Sequence, residues 1–187
     1  MSAAPAKGSL LVASPTLFDP NFLRSVIFVL AHDEDGTLGV VLNRPSDTPV
    51  EEIVPGWGGL AAMPAVMFSG GPVQPNAAIC IGRTELPEAA EAAGFFPLHG
   101  PLGTVDLHED PVDVHVPLVE VRVFAGYAGW APDQLGEEID VGSWYVFESR
   151  QSDVLTHEPE NLWSRVLRRQ GGWLAVLARY PLDPSAN

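Results

Sequence analysis

Apolar residues fall along the chain in short runs of strand length, each closed by a polar, glycine- or proline-containing break. "GSLLVA" (8–13) reads as a short buried strand, and "SPTLFDPNF" (14–22) as a loop with two prolines. "SVIFVLAH" (25–32) is apolar almost throughout and rich in β-branched and aromatic residues, the pattern of a strand covered on both faces. Asp35-Gly36 is a hairpin signal, so "LGVVLN" (38–43) is expected to return antiparallel beside it. Further strands are predicted at "AVMFS" (65–69), "AAICIG" (77–82), "TVDL" (104–107), "LVEVRVFAG" (118–126), "SWYVFES" (143–149) and "DVLT" (153–156).

Helical signals are fewer. "TPVEEIV" (48–54) pairs Thr48 with Glu51 as a capping box and sets Pro49 at the first helical position. "APDQLGEEI" (131–139) predicts a short helix with Leu135 and Ile139 facing the core. "PENLWSRVLRRQ" (159–170) carries acids at its start, Arg168 and Arg169 in its last turn and Gly171 beyond, an order that complements the helix dipole. Its buried stripe is Leu162, Trp163, Val166 and Leu167. Residues 83–104 read as a long surface loop with a possible helical turn in "ELPEAAEAAG". Hairpins mixed with strand–loop–helix units predict an α/β (α+β mixed) fold, one large mixed β-sheet with a few flanking helices. One domain over 8–182, with tails at 1–7 and 183–187, suits the length of 187 residues.

Charge narrows the function classes. With 24 acidic against 10 basic residues, a net charge of −14 repels nucleic-acid phosphates and anionic membranes. The basic cluster Arg165, Arg168, Arg169 reads more simply as a helix end, and no helix-turn-helix is visible. No apolar run is long enough to span a bilayer or serve as a secretory signal, so a cytoplasmic protein is expected. The single cysteine, Cys80, lies in an apolar run and is expected to be a buried core thiol.

Three loops stand directly after predicted strands: Asn43-Arg44-Pro45, Ser69-Gly70-Gly71-Pro72 and Gly126-Tyr127-Ala128-Gly129-Trp130. If their strands run parallel they converge, as ligand loops do in open sheets. Ser69-Gly70-Gly71 is either a backbone nest for an anion or a turn that needs φ > 0. Gln134 and Glu138, four apart on one helix face, would sit beside Tyr127 and Trp130. The aromatics are either the wall of a small-molecule pocket or core residues whose polar atoms bond locally. Ser69 as a nucleophile needs a base, and nothing in the spacing selects one of His32, His99, His108, His115 or His157. His108, Asp110, Asp113 and His115 match no metal motif and read as a solvated acidic edge.

The combination "GSLLVASPTLFDPNFLRSVIFVLAH", "GVVLNRP", "GGPV" and "FAGYAGWAPDQLGEEI…SWY" closely resembles the YqgE/AlgH family, from Gly8 to about residue 180. The resemblance implies a single domain with a large mixed sheet, in cytosolic bacterial proteins of unestablished activity. One branch is named for a link to alginate regulation, so members are often labelled transcriptional regulators. The resemblance carries over no catalytic residue. Its motif positions here are Asp19, Pro20, Arg24, Ser25, Asn43, Arg44, Pro45, Gly70, Gly71, Pro72, Gly126, Tyr127, Gly129, Trp130, Gln134 and Glu138. The family usually reads Gly-Gln-Leu-Glu in the last motif; here Asp133 stands for the glycine and Gly136 for the glutamate.

The reading reached from sequence is a small-molecule- or protein-binding module, indirectly regulatory, without direct DNA binding and with no cofactor. Its candidate ligand-binding residues are Asn43, Arg44, Ser69, Gly70, Gly71, Gly126, Tyr127, Gly129, Trp130, Gln134 and Glu138. A monomer or weak homodimer is expected. The alternative is a hydrolase or transferase using Ser69 or the Gln134/Glu138 pair.

Overall fold

A computed structural model of the chain describes residues 4–86 and 91–180. The strands are β1 (Ser9–Ala13), β2 (Val26–Asp33), β3 (Gly36–Val41), β4 (Pro45–Pro49), β5 (Val66–Ser69), β6 (Val73–Thr84), β7 (Phe95–His99), β8 (Leu102–Val105), β9 (Leu118–Trp130) and β10 (Trp144–Glu148). They form a ten-stranded sheet with the order β10-β1-β2-β3-β9-β6-β8-β7, while β5 pairs β9 and β4 pairs β5. All these pairings are antiparallel except β5 with β9. The sheet curls so that the segment entering β1 reaches β7: Lys7 Nζ donates to the Pro97 carbonyl at 2.9 Å. The large mixed sheet and the β2–β3 hairpin are as expected.

The helices are α1 (Val50–Ile53), α2 (Gln134–Asp140), α3 (Gln151–Val154), α4 (Leu162–Gln170) and α5 (Gly172–Leu177), with 3-10 turns at Gly58–Leu60 and Pro159–Asn161. Alternation decides which side each strand residue packs. In β2, Val26, Phe28 and Leu30 join the cluster against α4. Ile27 and Val29 join a second cluster, with Trp130, Leu135 of α2 and Trp144. A third cluster, around Trp57, Phe95 and Val121, fills the other half of that second face. On α4 the buried stripe is Leu162, Trp163, Val166 and Leu167, as its spacing predicts.

Several expectations are corrected. "DVLT" is not a strand but lies over α3 and the residues after it. The Asp153 carboxylate accepts the Arg150 backbone N–H at 2.8 Å, which starts a helical turn that so short an apolar stretch conceals. Residues 83–104 are not one loop: they finish β6 and supply β7 and β8. Their glycine and proline content hid this, yet Pro97 suits the edge strand, and Gly103 leaves the room that the Phe95 ring fills, 2.3 Å from where a Cβ would stand. Of "ELPEAAEAAG" (85–94), 87–90 lie outside the described residues, as do the tail at 183–187 and the first three residues, and the described part is not helical. The Thr48–Glu51 capping box does not form. Pro49 precedes α1, and the Glu51 carboxylate turns forward to accept Gly56 and Gly58 N–H groups at 3.0 and 2.9 Å. β4 and α5 were not foreseen.

Candidate functional site

The main correction concerns Gly126-Tyr127-Ala128-Gly129-Trp130, which is not a loop but the end of β9. β9 changes partner there. Phe124 and Ala125 pair with β5 in parallel, then Ala128, Gly129 and Trp130 pair with β3 antiparallel. At the changeover two backbones cross without side chains between them. A Cβ on Gly70 would stand 2.2 Å from the Gly126 carbonyl oxygen, and one on Gly71 (φ 150) would stand 2.2 Å from the Tyr127 carbonyl carbon. Gly126 (φ 73) would meet the Gly71 oxygen at 2.6 Å. These three candidate glycines are thus demanded by the crossing itself.

The strand also separates the two aromatics. Tyr127 packs towards the α4 face, whereas Trp130 is buried on the opposite one. They do not line one pocket. Trp130 joins a clasp: its Nε1–H donates to Glu138 Oε2 at 2.9 Å, and the Trp144 Nε1–H donates to the same oxygen at 2.8 Å. Gln134 Nε2 donates to Glu138 Oε1 at 3.0 Å, and Gln134 Oε1 accepts the Ala131 N–H. Phe22 closes the set, with its ring centroid 6.1 Å from Trp130 and 5.6 Å from Trp144. Both oxygens of the half-buried Glu138 are engaged, so the Gln134/Glu138 pair holds α2 on the sheet.

The remaining candidates gather elsewhere. Arg44, Ser69, Gly71 and Pro72 line a small cleft of about 180 Å³ with Pro20, Asn21 and Val41. The Asn43–Pro45 and Ser69–Pro72 loops therefore meet, joined by the 14–25 loop rather than by Gly126–Trp130. Ser69 is exposed there, and the lining holds neither histidine nor carboxylate. Asn43 lies beneath, buried: its Oδ1 accepts the Val26 N–H at 3.0 Å and its Nδ2 donates to the Arg24 carbonyl at 2.9 Å. Gly129 touches nothing that requires a glycine, and the structure does not explain it.

Pro20 and Arg44 also border a larger cleft of about 630 Å³, between the 14–25 loop, α4 and the segment after α5. Arg24, Arg168 and Arg179 join them. Arg24 and Arg44 are anchored through backbone carbonyls, Arg24 to Tyr180 and Arg44 to Leu23, and Arg24 lies 4.6 Å over the Trp163 ring. Burial lowers the pKa of both guanidinium groups. The sequence reading did not use this cleft. The signal was the scarcity of cations in so acidic a chain, which makes any cluster of them informative.

Among the described residues no three or more His, Cys, Asp or Glu side chains are grouped to hold a metal ion. His108 and Asp110 lie in turns where Asp106 accepts the His108 N–H and Asp110 the Val112 N–H. Cys80 is buried in the third cluster, which pushes its thiol pKa up, away from thiolate reactivity. No described helix is long and apolar enough to cross a membrane.

A family model described as AlgH-like matches residues 10–175. The chain belongs to the AlgH-like family. A UPF0301 protein of Streptomyces coelicolor is 50% identical over 183 residues, covering 96% of this chain and 94% of its own. Another, from Thermobifida fusca, is 49% identical over 187 residues at the same coverages. Among solved structures, a Corynebacterium diphtheriae protein matches with a TM-score of 0.88 at 35% identity, covering 96% of this chain and 95% of its own. The solution structure of AlgH from Pseudomonas aeruginosa matches with a TM-score of 0.66 at 26% identity, covering 97% and 98%. These likenesses fix family and fold, and they leave the activity to the site.

The structure accommodates the two departures in the last motif of this AlgH-like chain. Asp133 has φ 66 and ψ −22, a left-handed conformation that glycine adopts freely and Asp tolerates better than most residues. Gly136 sits inside α2 with nothing within 4 Å of a Cβ position. Gly136→Ala is therefore expected to stabilise the protein by about 1 kcal/mol, the helix-interior cost of glycine. A urea midpoint that fails to rise would show that α2 is not limited by its own helix propensity.

Proposed function

We propose that the protein is a binding module that captures a small molecule in the double cleft shared by Pro20 and Arg44, without chemistry of its own. The observation that carries this reading is the place where the candidate polar groups meet. Arg44 stands between both clefts, beside Ser69 and the Gly71–Pro72 turn on one side and Arg24 and Arg168 on the other. The site is concave and bordered by fixed loops, as small-molecule sites are. The enzyme alternative has less support. Ser69 lacks a base in its cleft, and Glu138 is committed to two indoles and an amide. Any regulatory role is indirect, given the net charge of −14.

A thermal-shift screen against nucleotides, acyl-CoAs, sugar phosphates and amino acids tests this. A ligand at about 100 times its Kd adds roughly 2.7 kcal/mol, which moves the midpoint by a few degrees. A hit abolished by Arg44→Gln supports the cleft. A hit insensitive to Arg44→Gln, or silence across the panel, refutes it and moves the reading to a protein partner. Duplex DNA is expected not to bind at about 50 mM salt, where electrostatic affinity is strongest.

A further inference from the structure

The larger cleft collects positive charge that the rest of the molecule does not neutralise. Four of the ten basic residues, Arg24, Arg44, Arg168 and Arg179, line it, with Glu160 as its one acid. In a chain with 24 acidic residues, pairing is the easy outcome for an arginine. Arg83, Arg165 and Arg169 do pair, with Glu120, Glu158 and Asp153. None of the four cleft arginines makes an ion pair among the described residues. Their clustering therefore concentrates repulsion that a bound anion would relieve.

Two of them are also held in place. Arg24 has φ 52, a left-handed backbone rare outside glycine, asparagine and aspartate. The buried Asn43 secures it by donating to the Arg24 carbonyl. Strain of this kind persists where surrounding structure over-determines it, and it concentrates at ligand sites. Arg24 and Arg44 each spend a terminal N–H on a backbone carbonyl, which fixes the fork and leaves other N–H donors for an oxyanion. Partial burial of both, which disfavours the charged form, adds to the demand for a counter-charge.

We propose that this cleft binds the phosphoryl groups of a multiply charged small molecule, with Arg44 and Arg24 as the fixed forks and Arg168 and Arg179 as the outer charges. Four guanidinium groups against one carboxylate exceed what a single carboxylate ligand would neutralise. They suit a diphosphate, whose oxygens accept from several forks at once. The inference rests on the binding role given above and adds the ligand's chemistry to it.

The test is calorimetric titration of the full-length protein with inorganic pyrophosphate, with citrate as a polycarboxylate comparison and sodium chloride as an ionic-strength control. Pyrophosphate is expected to bind, more tightly than citrate, and to weaken as salt rises. Arg168→Gln, at an exposed side chain with no hydrogen bond among the described residues, is expected to weaken binding about tenfold, the worth of one charge-assisted hydrogen bond. Arg150→Gln, in another cleft, is expected to leave it unchanged. Pyrophosphate heats no larger than those of chloride, or binding lost equally in both variants, would overturn the assignment. Citrate binding more tightly than pyrophosphate would overturn its phosphoryl part. A neutral ligand found in the screen and lost in Arg44→Gln would preserve the binding role while the phosphoryl assignment fell.

Discussion

Gly71→Ala is expected to destabilise the protein by about 3–5 kcal/mol, a large fraction of the roughly 5–15 kcal/mol that holds a domain folded. Two costs combine. The residue has φ 150, at the edge of the region where L side chains are strained. The added methyl would also sit 2.2 Å from the Tyr127 carbonyl carbon and 2.3 Å from its oxygen. Those are backbone atoms of β9 and cannot rotate aside as a side-chain tip would. Relief would require β5 and β9 to move apart, which breaks the Gly70 N–H to Ala125 carbonyl bond and the Val41 N–H to Gly70 carbonyl bond. Gly129→Ala is the control, since its Cβ would meet nothing nearer than 3.6 Å. Urea midpoints of the two variants separate the cases. A Gly71→Ala protein as stable as its parent would show that the crossing can relax, and would return the glycine pair to consideration as an anion nest.

That contrast shows what was and was not legible in the sequence. The strands β1, β2, β3 and β5 were readable, because each is built on a short apolar run bounded by turn chemistry. α4 was readable because its apolar stripe and charged ends agree. The start of β6 and the end of β9 were not. Their residues pass an irregular crossing where glycine is required, and glycine in a sequence signals a turn before it signals close approach of two strands. Reading Gly126–Trp130 as a loop then placed Tyr127 and Trp130 together, whereas a strand sends neighbours one and three positions apart to different faces. Pairwise spacing did carry Gln134 with Glu138. It could not show that both indoles, from β9 and β10, aim at one carboxylate. Such convergence is set by the third dimension of the sheet, and so is the collection of arginines from the 14–25 loop, α4 and the chain beyond α5.

The same holds for Arg122, which has no sequence signal at all, and its replacement carries the second large expected effect. Arg122 alternates outward in β9 by pattern, yet it is 1% exposed. Its Nη1 donates to the Thr156 carbonyl at 2.7 Å, and its Nη2 to the Met63 and Ala62 carbonyls at 2.8 and 3.3 Å. The guanidinium lies 4.1 Å over the Phe68 ring. Burial brings its pKa down to about 10, partly offset by the Glu120 carboxylate, so it stays charged at neutral pH. This one side chain ties the loop before β5 and the segment after α3 to the middle of the sheet. Arg122→Ala is expected to cost about 3–5 kcal/mol, from the cavity and from carbonyls left unpaired. Arg122→Met separates the two terms. It fills much of the volume while leaving the same carbonyls without a donor, so about 2 kcal/mol of loss is expected to remain. Replacing a buried charge by an apolar chain can be neutral when both partners are exchanged, but here the acceptors are backbone and cannot be. A Met variant with the parent's urea midpoint would mean that water or relaxed backbone satisfies those carbonyls, and that Arg122 contributes through packing alone.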